Sequence, residues 1–297
     1  MTEPAGMPRT ILLATDLSAR CDRALDRAAQ LAAQWAARLV VVHVVEPVAP
    51  PILDEDQPSW MQPADRLLLA ERSLRADLPI DTLDLTTVVE EGDPAETVAR
   101  VADEMGCQLI ITGLARNETL GRFSLGTTVN RLLRRLTVPI LVVKARARHE
   151  YSHILVATDL SDASKHGLEI ALHWFPDRQI EVFHAYEAPF AGMMGDAVEY
   201  RRQHREAVAG ECMDFLASVA MPPEFRSRLS MRMEYGTAPP LLRDHVDGGS
   251  VDLVVLGSQG RSAAVDVLFG STANAILRAV NCDALVVRKP AAPPPDA

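Results

Sequence analysis

One block of this sequence is written twice. Ile11-Leu12-Leu13-Ala14-Thr15-Asp16-Leu17-Ser18 returns as Ile154-Leu155-Val156-Ala157-Thr158-Asp159-Leu160-Ser161, with a single difference. Gly92, Gly113 and Gly126 return 144 residues later as Gly236, Gly257 and Gly270. Leu141-Val142-Val143-Lys144 returns at the same offset as Leu285-Val286-Val287-Arg288. A spacing this long and this constant means two copies of one domain, not a solenoid of short repeats. The length of 297 residues, about twice the commonest domain size, agrees. Domains are expected at 1–148 and 149–297, joined across the charged stretch Arg146 to Glu150.

Within each copy, β-rich runs alternate with helical patterns. In the first, strands are expected at Thr10–Ala14, Leu39–Val45, Thr86–Val89, Leu109–Thr112 and Ile140–Val143. Ser18 offers an N-cap for a helix whose apolar face is Ala24, Ala28, Leu31 and Trp35. Asp93-Pro94 reads as N-cap plus N1 proline, opening a helix with Val98, Val101 (or Ala102) and Met105 inward. Val129, Leu132, Leu133 and Leu136 mark a further helix before the last strand. The second copy repeats the strands at Ile154–Ala157, Ile180–Ala185, Leu229–Met233, Leu253–Leu256 and Ala284–Val287. Such alternation implies α/β architecture, a five-stranded parallel sheet per copy with right-handed crossovers and helices on both faces. The copies differ most after the second strand, at Pro47 to Pro63 and at Pro189 to Asp196, where irregular surface is expected. The tail from Pro290, rich in Pro and Ala, is expected to be disordered.

Composition removes several function classes. Hydrophobic residues at 48% are too many for a disordered chain. A net charge of −10 disfavours nucleic acid and anionic lipid as partners. No apolar run approaches a membrane span, and the first residues lack the pattern of a secretory signal. Four scattered cysteines without a CxxC pair suit buried, reduced thiols, so a cytoplasmic location is expected.

The chemistry is concentrated after the fourth strand of the second copy. Gly257-Ser258-Gln259-Gly260 is followed, after nine intervening residues, by Gly270-Ser271-Thr272 at the start of a helix. Glycines where the chain leaves a strand let backbone approach a ligand, and a helix N-terminus offers free N–H groups and positive dipole to phosphate. Asp159 ends the first strand of the same sheet; if first and fourth strands are neighbours, it meets this loop at a topological switch point.

With Asp159 in ATDLS and the Gly257-x-x-Gly260-(nine residues)-Gly270-Ser271-Thr272 pattern, the chain resembles the universal stress protein family in tandem form. The resemblance implies a Rossmann-like, doubly wound fold with strand order 3-2-1-4-5, of the adenine nucleotide alpha hydrolase type. It also implies an adenine nucleotide, ATP, ADP or AMP, in the cleft; Asp159 could help hold Mg2+ through the nucleotide's phosphates, but one carboxylate does not specify a site. By similarity, Asp159 and the backbone near Ala185 would hold adenine and ribose; Gly257, Gly260, Gly270, Ser271 and Thr272 would hold the phosphates, with Arg261 an optional contact. In the first copy Asp16, Val44, Gly113, Gly126, Thr127 and Thr128 correspond, but Arg116 replaces the second glycine. That site is expected to be empty; the alternatives are direct contact of the guanidinium with phosphate and a loop re-routed through Gly121. The resemblance further implies pairing of the last strands, here as an internal pseudo-dimer of the two halves, with a homodimer also open.

Other fingerprints are missing: no P-loop, no Gly-x-Gly-x-x-Gly after a first strand, and no Gly-x-Ser-x-Gly elbow. Asp16 and Asp159 stand in separate domains, so they form no acid/base pair, and a ligand or turn-forming role is expected. His43 and His184, late in the second strands, read as packed and hydrogen-bonded. The basic face of Arg131, Arg134 and Arg135 reads as solvated. A nucleotide-binding stress-response module is thus expected. A nucleotide-independent scaffold and a slow ATPase are the alternatives, the last disfavoured by the lack of a base or arginine finger.

Overall fold

The computed structural model describes residues 6–18, 21–47, 65–78, 83–114, 118–119, 122–123, 126–189, 196–249, 251–258 and 269–288. The first half runs β1 (Thr10–Thr15), α1 (Asp22–Trp35), β2 (Arg38–Val45), α2 (Arg66–Asp77), β3 (Leu85–Glu91), α3 (Pro94–Glu104) and β4 (Leu109–Gly113). A two-stranded ribbon β5 (Glu118–Thr119) and β6 (Arg122–Phe123) follows, then α4 (Thr127–Arg135) and β7 (Ile140–Val143). The second half runs β8 (His153–Ala157), α5 (Asp162–Trp174), β9 (Gln179–Tyr186), α6 (Ala197–Ser218), β10 (Leu229–Tyr235), α7 (Ala238–Asp247), β11 (Leu253–Gly257), α8 (Ser271–Ala279) and β12 (Asp283–Val287).

Ten strands form one sheet in the order β10-β9-β8-β11-β12-β7-β4-β1-β2-β3. Each half therefore has the expected order 3-2-1-4-5, parallel throughout. The central strands β4, β7 and β12 are buried on both faces, as crossover helices require, whereas the edge strands β3 and β10 are largely half-exposed. Strand alternation feeds two cores. Ile11, Leu13, Leu39 and Val41 face the α1/α2 side, while Leu12, Val40 and Val42 face the α3/α4 side.

The halves meet through β7 and β12, which pair antiparallel in a register centred on Leu141 opposite Leu285. Those two residues are equivalent in the repeat, so a local pseudo-two-fold axis passes between them. The internal pseudo-dimer is thereby present, and it removes two exposed edges. Helix ends complete the seam. Trp35 closes α1 and lies 5.7 Å from Trp174, which closes α5, and 5.8 Å from Phe175. Lys144 Nζ, following β7, donates to the carbonyls of Leu277 (2.5 Å) and Val280 (2.7 Å) at the end of α8. Reciprocally, Arg288 after β12 donates to the Arg134 carbonyl at the end of α4, 3.0 Å away. Cations at helix C-termini are favourably placed. Burial holds the Lys144 ammonium down at about 8, against the pull of Cys282 and Asp283.

Three local expectations need correction. Ser18 does not cap α1: the helix starts after Cys21 without a side-chain cap, and Ser18 N–H instead donates to Asp16 Oδ1. Its counterpart Ser161 does cap α5, accepting from Ser164 N–H. Ser161→Ala is therefore expected to cost about 1 kcal/mol and Ser18→Ala less than about 0.5 kcal/mol, read as urea midpoints. Met105 does not point inward; it is exposed beyond the last turn of α3, while Val98, Val101 and Ala102 are buried. Helices α2 and α6 also lie where no element was expected. Their apolar periodicity is weak (Leu67, Leu68 and Leu69 are exposed in succession), but the side chains of Asp65 and Asp196 cap their first turns. Most of Pro47 to Pro63, most of Pro189 to Asp196, and the tail from Pro290 lie outside the described residues.

All four cysteines are free and buried. Burial pushes the thiols of Cys21 and Cys107 up to about 11 and that of Cys282 to about 12. No helix among the described residues is long and apolar enough to cross a membrane.

Candidate functional site

The register places the key segments side by side. Ala157 lies opposite Leu256 across β8 and β11, so the chain leaves β8 at Asp159 beside the Gly257-Ser258 exit from β11. Ala14 opposite Thr112 does the same for Asp16 and Gly113. First and fourth strands are thus neighbours in both halves, and Asp159 and Asp16 stand at the carboxyl end of each sheet where the strand order reverses.

Both aspartate turns have the same construction. Asp159 Oδ1 accepts from Ser161 N–H at 3.1 Å, and Asp16 Oδ1 accepts from Ser18 N–H at 2.9 Å. The residue between, Leu160 or Leu17, is left-handed, with φ of 63° and 57°. A leucine gains nothing from that conformation, so the surroundings must hold it. Part of the hold is visible. Leu160 N–H donates to Thr158 Oγ1 at 2.9 Å, and Leu17 N–H to Thr15 Oγ1 at 3.1 Å. Behind the turns, His184 Nδ1 lies 2.9 Å from the Thr158 carbonyl, and His43 Nδ1 3.0 Å from that of Thr15. The two histidines thus brace the turns, as the packed reading expected. The turn-forming role of the aspartates is likewise present. The left-handed leucines and the threonine–histidine brace were not read from the sequence, although the doubled ATDLS carries the leucine and threonine.

The loop after β11 is anchored at both ends. Ser258 N–H donates to the Val287 carbonyl, and the Ser258 carbonyl accepts from Gly270 N–H, each at 2.8 Å. Gly270 then stands as N-cap of α8. Its φ of −60° makes no demand for glycine; the demand is steric, since a Cβ there would lie 3.2 Å from the Ser258 carbonyl oxygen. Gly257 is a stricter case. A Cβ would lie 2.9 Å from Ser164 N and 3.0 Å from the Ala163 carbonyl carbon, so the first turn of α5 already fills the space its bareness creates. Close helix–strand packing is thus by itself a sufficient reason for glycine at 257. Gly260 and Arg261 in the second half, and Arg116 and Gly121 in the first, lie outside the described residues.

Helices α8 and α4 open alike. Gly270 and Gly126 provide no side-chain cap, and neither first turn contains an acid. Ser271 and Thr272 are exposed on α8; Thr127 is exposed and Thr128 half-buried on α4. An uncapped, acid-free N-terminus keeps its orphan N–H groups and positive dipole end available to an anion. The Ser258 hydroxyl is buried without a hydrogen-bond partner among the described residues. Ala185 and Val44 are half-buried at the carboxyl ends of β9 and β2, on the α7/α8 and α3/α4 sides.

Elsewhere, the basic face of α4 is largely neutralised: Arg131 bonds Asp93 at 2.5 Å, and Arg135 lies 3.8 Å from Glu96. The guanidinium of Arg131 is the leading reason the Asp93 carboxyl sits below its ordinary range. No cluster of metal-ligating side chains occurs among the described residues.

The comparisons agree with this architecture. The family model described as universal stress protein family matches residues 7–144 and again 150–288. The universal stress protein MJ0531 of Methanocaldococcus jannaschii is 26% identical over 146 residues, covering 47% of this chain and 84% of that protein. Universal stress protein A homolog 1 of Coxiella burnetii is 29% identical over 144 residues, 46% of this chain and 96% of its own. Among solved structures, PA1789 of Pseudomonas aeruginosa superposes with TM-score 0.68 at 20% identity, covering 95% of this chain and 92% of that one. A universal stress protein from Archaeoglobus fulgidus gives 0.62 at 15% identity, covering 94% and 98%. The chain belongs to the universal stress protein family, whose unit it carries twice in tandem.

Proposed function

We propose that this protein is a stress-response module that binds an adenine nucleotide, chiefly in the second half. The carrying observation is the bare N-terminus of α8, beside the braced Asp159 turn at the switch point between β8 and β11. In this reading the α8 N–H groups with Ser271 and Thr272 take phosphate, and Asp159 and the Ala185 backbone take ribose and base. The glycine at 260 carries no side chain to oppose the phosphates, and Arg261 is an optional contact to them. Domain 1–148 carries the diverged site of Asp16, Val44, Gly113, Gly126, Thr127 and Thr128, with Arg116 in place of the second glycine; domain 149–297 carries the working one. Occupancy acts on conformation or partner choice in the cytoplasm, with ATP hydrolysis slow if it occurs.

Calorimetric titration with ATP tests the assignment. Wild type is expected to bind, and Gly260→Arg to lose about tenfold or more in affinity, at least about 1.4 kcal/mol. Unchanged affinity in that variant would place the nucleotide elsewhere. A second reading, a scaffold without nucleotide, is favoured by one observation: α5 packing alone explains Gly257. Absence of ATP binding to wild type, with the fold intact, is its signature.

A further inference from the structure

The seam obeys a pseudo-two-fold axis in its strands and in its helix-capping cations, but one buried charge cluster breaks it. Asp283, at the start of β12, is fully buried. Its Oδ1 accepts from Lys144 N–H and Ala145 N–H, both at 2.8 Å, just past the end of β7. Its Oδ2 accepts from the Tyr151 hydroxyl at 2.6 Å and lies 3.3 Å from Arg27 Nε of α1. Arg27 is 3% exposed, lies over the Tyr151 ring at 3.9 Å, and donates to the His149 carbonyl at 3.0 Å. The acid thus comes from the second half and the arginine from the first.

The repeat shows what each half would offer to its own kind. The residue equivalent to Asp283 is Pro139, and the one equivalent to Arg27 is Ile170. If two second halves paired through β12, each Asp283 would face Ile170 in place of Arg27. If two first halves paired through β7, each Arg27 would face Pro139. Either homotypic pairing buries two charges without a counter-charge, although Tyr151 still donates to Asp283 and Arg27 to Gln30 within their own halves; that is strongly disfavoured, whereas the heterotypic pairing brings the opposite charges together.

We propose that Arg27 and Asp283 are the selectivity determinants of the seam, making each half a partner only for the other and closing this interface to a second copy of either. The symmetric elements supply the attraction; the asymmetric pair supplies the discrimination.

A protease recognition sequence inserted between Ala147 and Arg148 of the full chain permits a direct test. The folded protein is cleaved there, unfolded in urea, refolded and weighed by native mass spectrometry. Wild type is expected to return only one-to-one complexes of unlike halves. The doubly neutral variant Arg27→Ile/Asp283→Ala is expected to return like pairs as well. Like pairs from wild type in the random proportion would overturn the proposal, and so would exclusive unlike pairing in the double variant. If the cleaved variant does not refold, the uncleaved chain decides: Arg27→Ile and Asp283→Ala each lower the urea midpoint, and together they lose less than the sum. Simple additivity would overturn the pairing.

Discussion

Asp283→Ala is expected to destabilise the chain by about 3–5 kcal/mol, the range for removing one member of a buried ion pair. The substitution takes one carboxylate from three donors, the Tyr151 hydroxyl and the Lys144 and Ala145 N–H groups, and from its ion-pair partner, the Arg27 guanidinium. Arg27 is the costliest of these, because it stays buried and charged. Asp283→Asn, which keeps an acceptor, is expected to lose less. Urea unfolding followed by the fluorescence of Trp35 and Trp174, which meet across the same seam, reads both variants. A loss below about 1 kcal/mol for Asp283→Ala would mean that water reaches the cluster.

Gly257→Ala is expected to cost about 1–3 kcal/mol, in the range of core overpacking. One methyl group is ordinarily a small change, but here its neighbours are backbone atoms of α5, at 2.9 and 3.0 Å. Helix or strand must shift, and Thr158 Oγ1, bonded to Ser164 Oγ at 2.8 Å, shifts with them. The loss is expected without any nucleotide present. If thermal unfolding of Gly257→Ala matched wild type, the steric account of this glycine would be wrong.

The duplication was enough to read the architecture. Ten strands, the order within each half, and the meeting of Ile140–Val143 with Ala284–Val287 follow from a doubled β/α alternation and the resemblance it carries. The site was half legible: doubled ATDLS and the glycine spacing locate it, because strand exits and helix starts leave local signatures. Three features were not legible, for separate reasons. Ser18 and Ser161 follow the same Ala-Thr-Asp-Leu, and the later start of α1 separates their roles. The packing of α5 against Gly257 leaves no mark in the sequence around that glycine. Arg27, Tyr151 and Asp283 lie so far apart in sequence that no periodicity links them; only the seam brings them together. The polar trio Glu181, Arg232 and His245 is similar. Glu181 bonds both partners, at 2.5 and 2.7 Å, at positions where the first half has Val40, Val88 and Val101. Burial works against ionising Glu181, yet these two bonds hold its carboxyl below the usual range.

Hydrogen exchange of the intact chain, followed by mass spectrometry with and without saturating ATP, probes the nucleotide assignment where it is made. Slower exchange is expected in peptides covering 158–164 and 257–274, with the equivalent 15–21 and 113–130 unchanged. Identical exchange in 257–274 with and without ATP would contradict it.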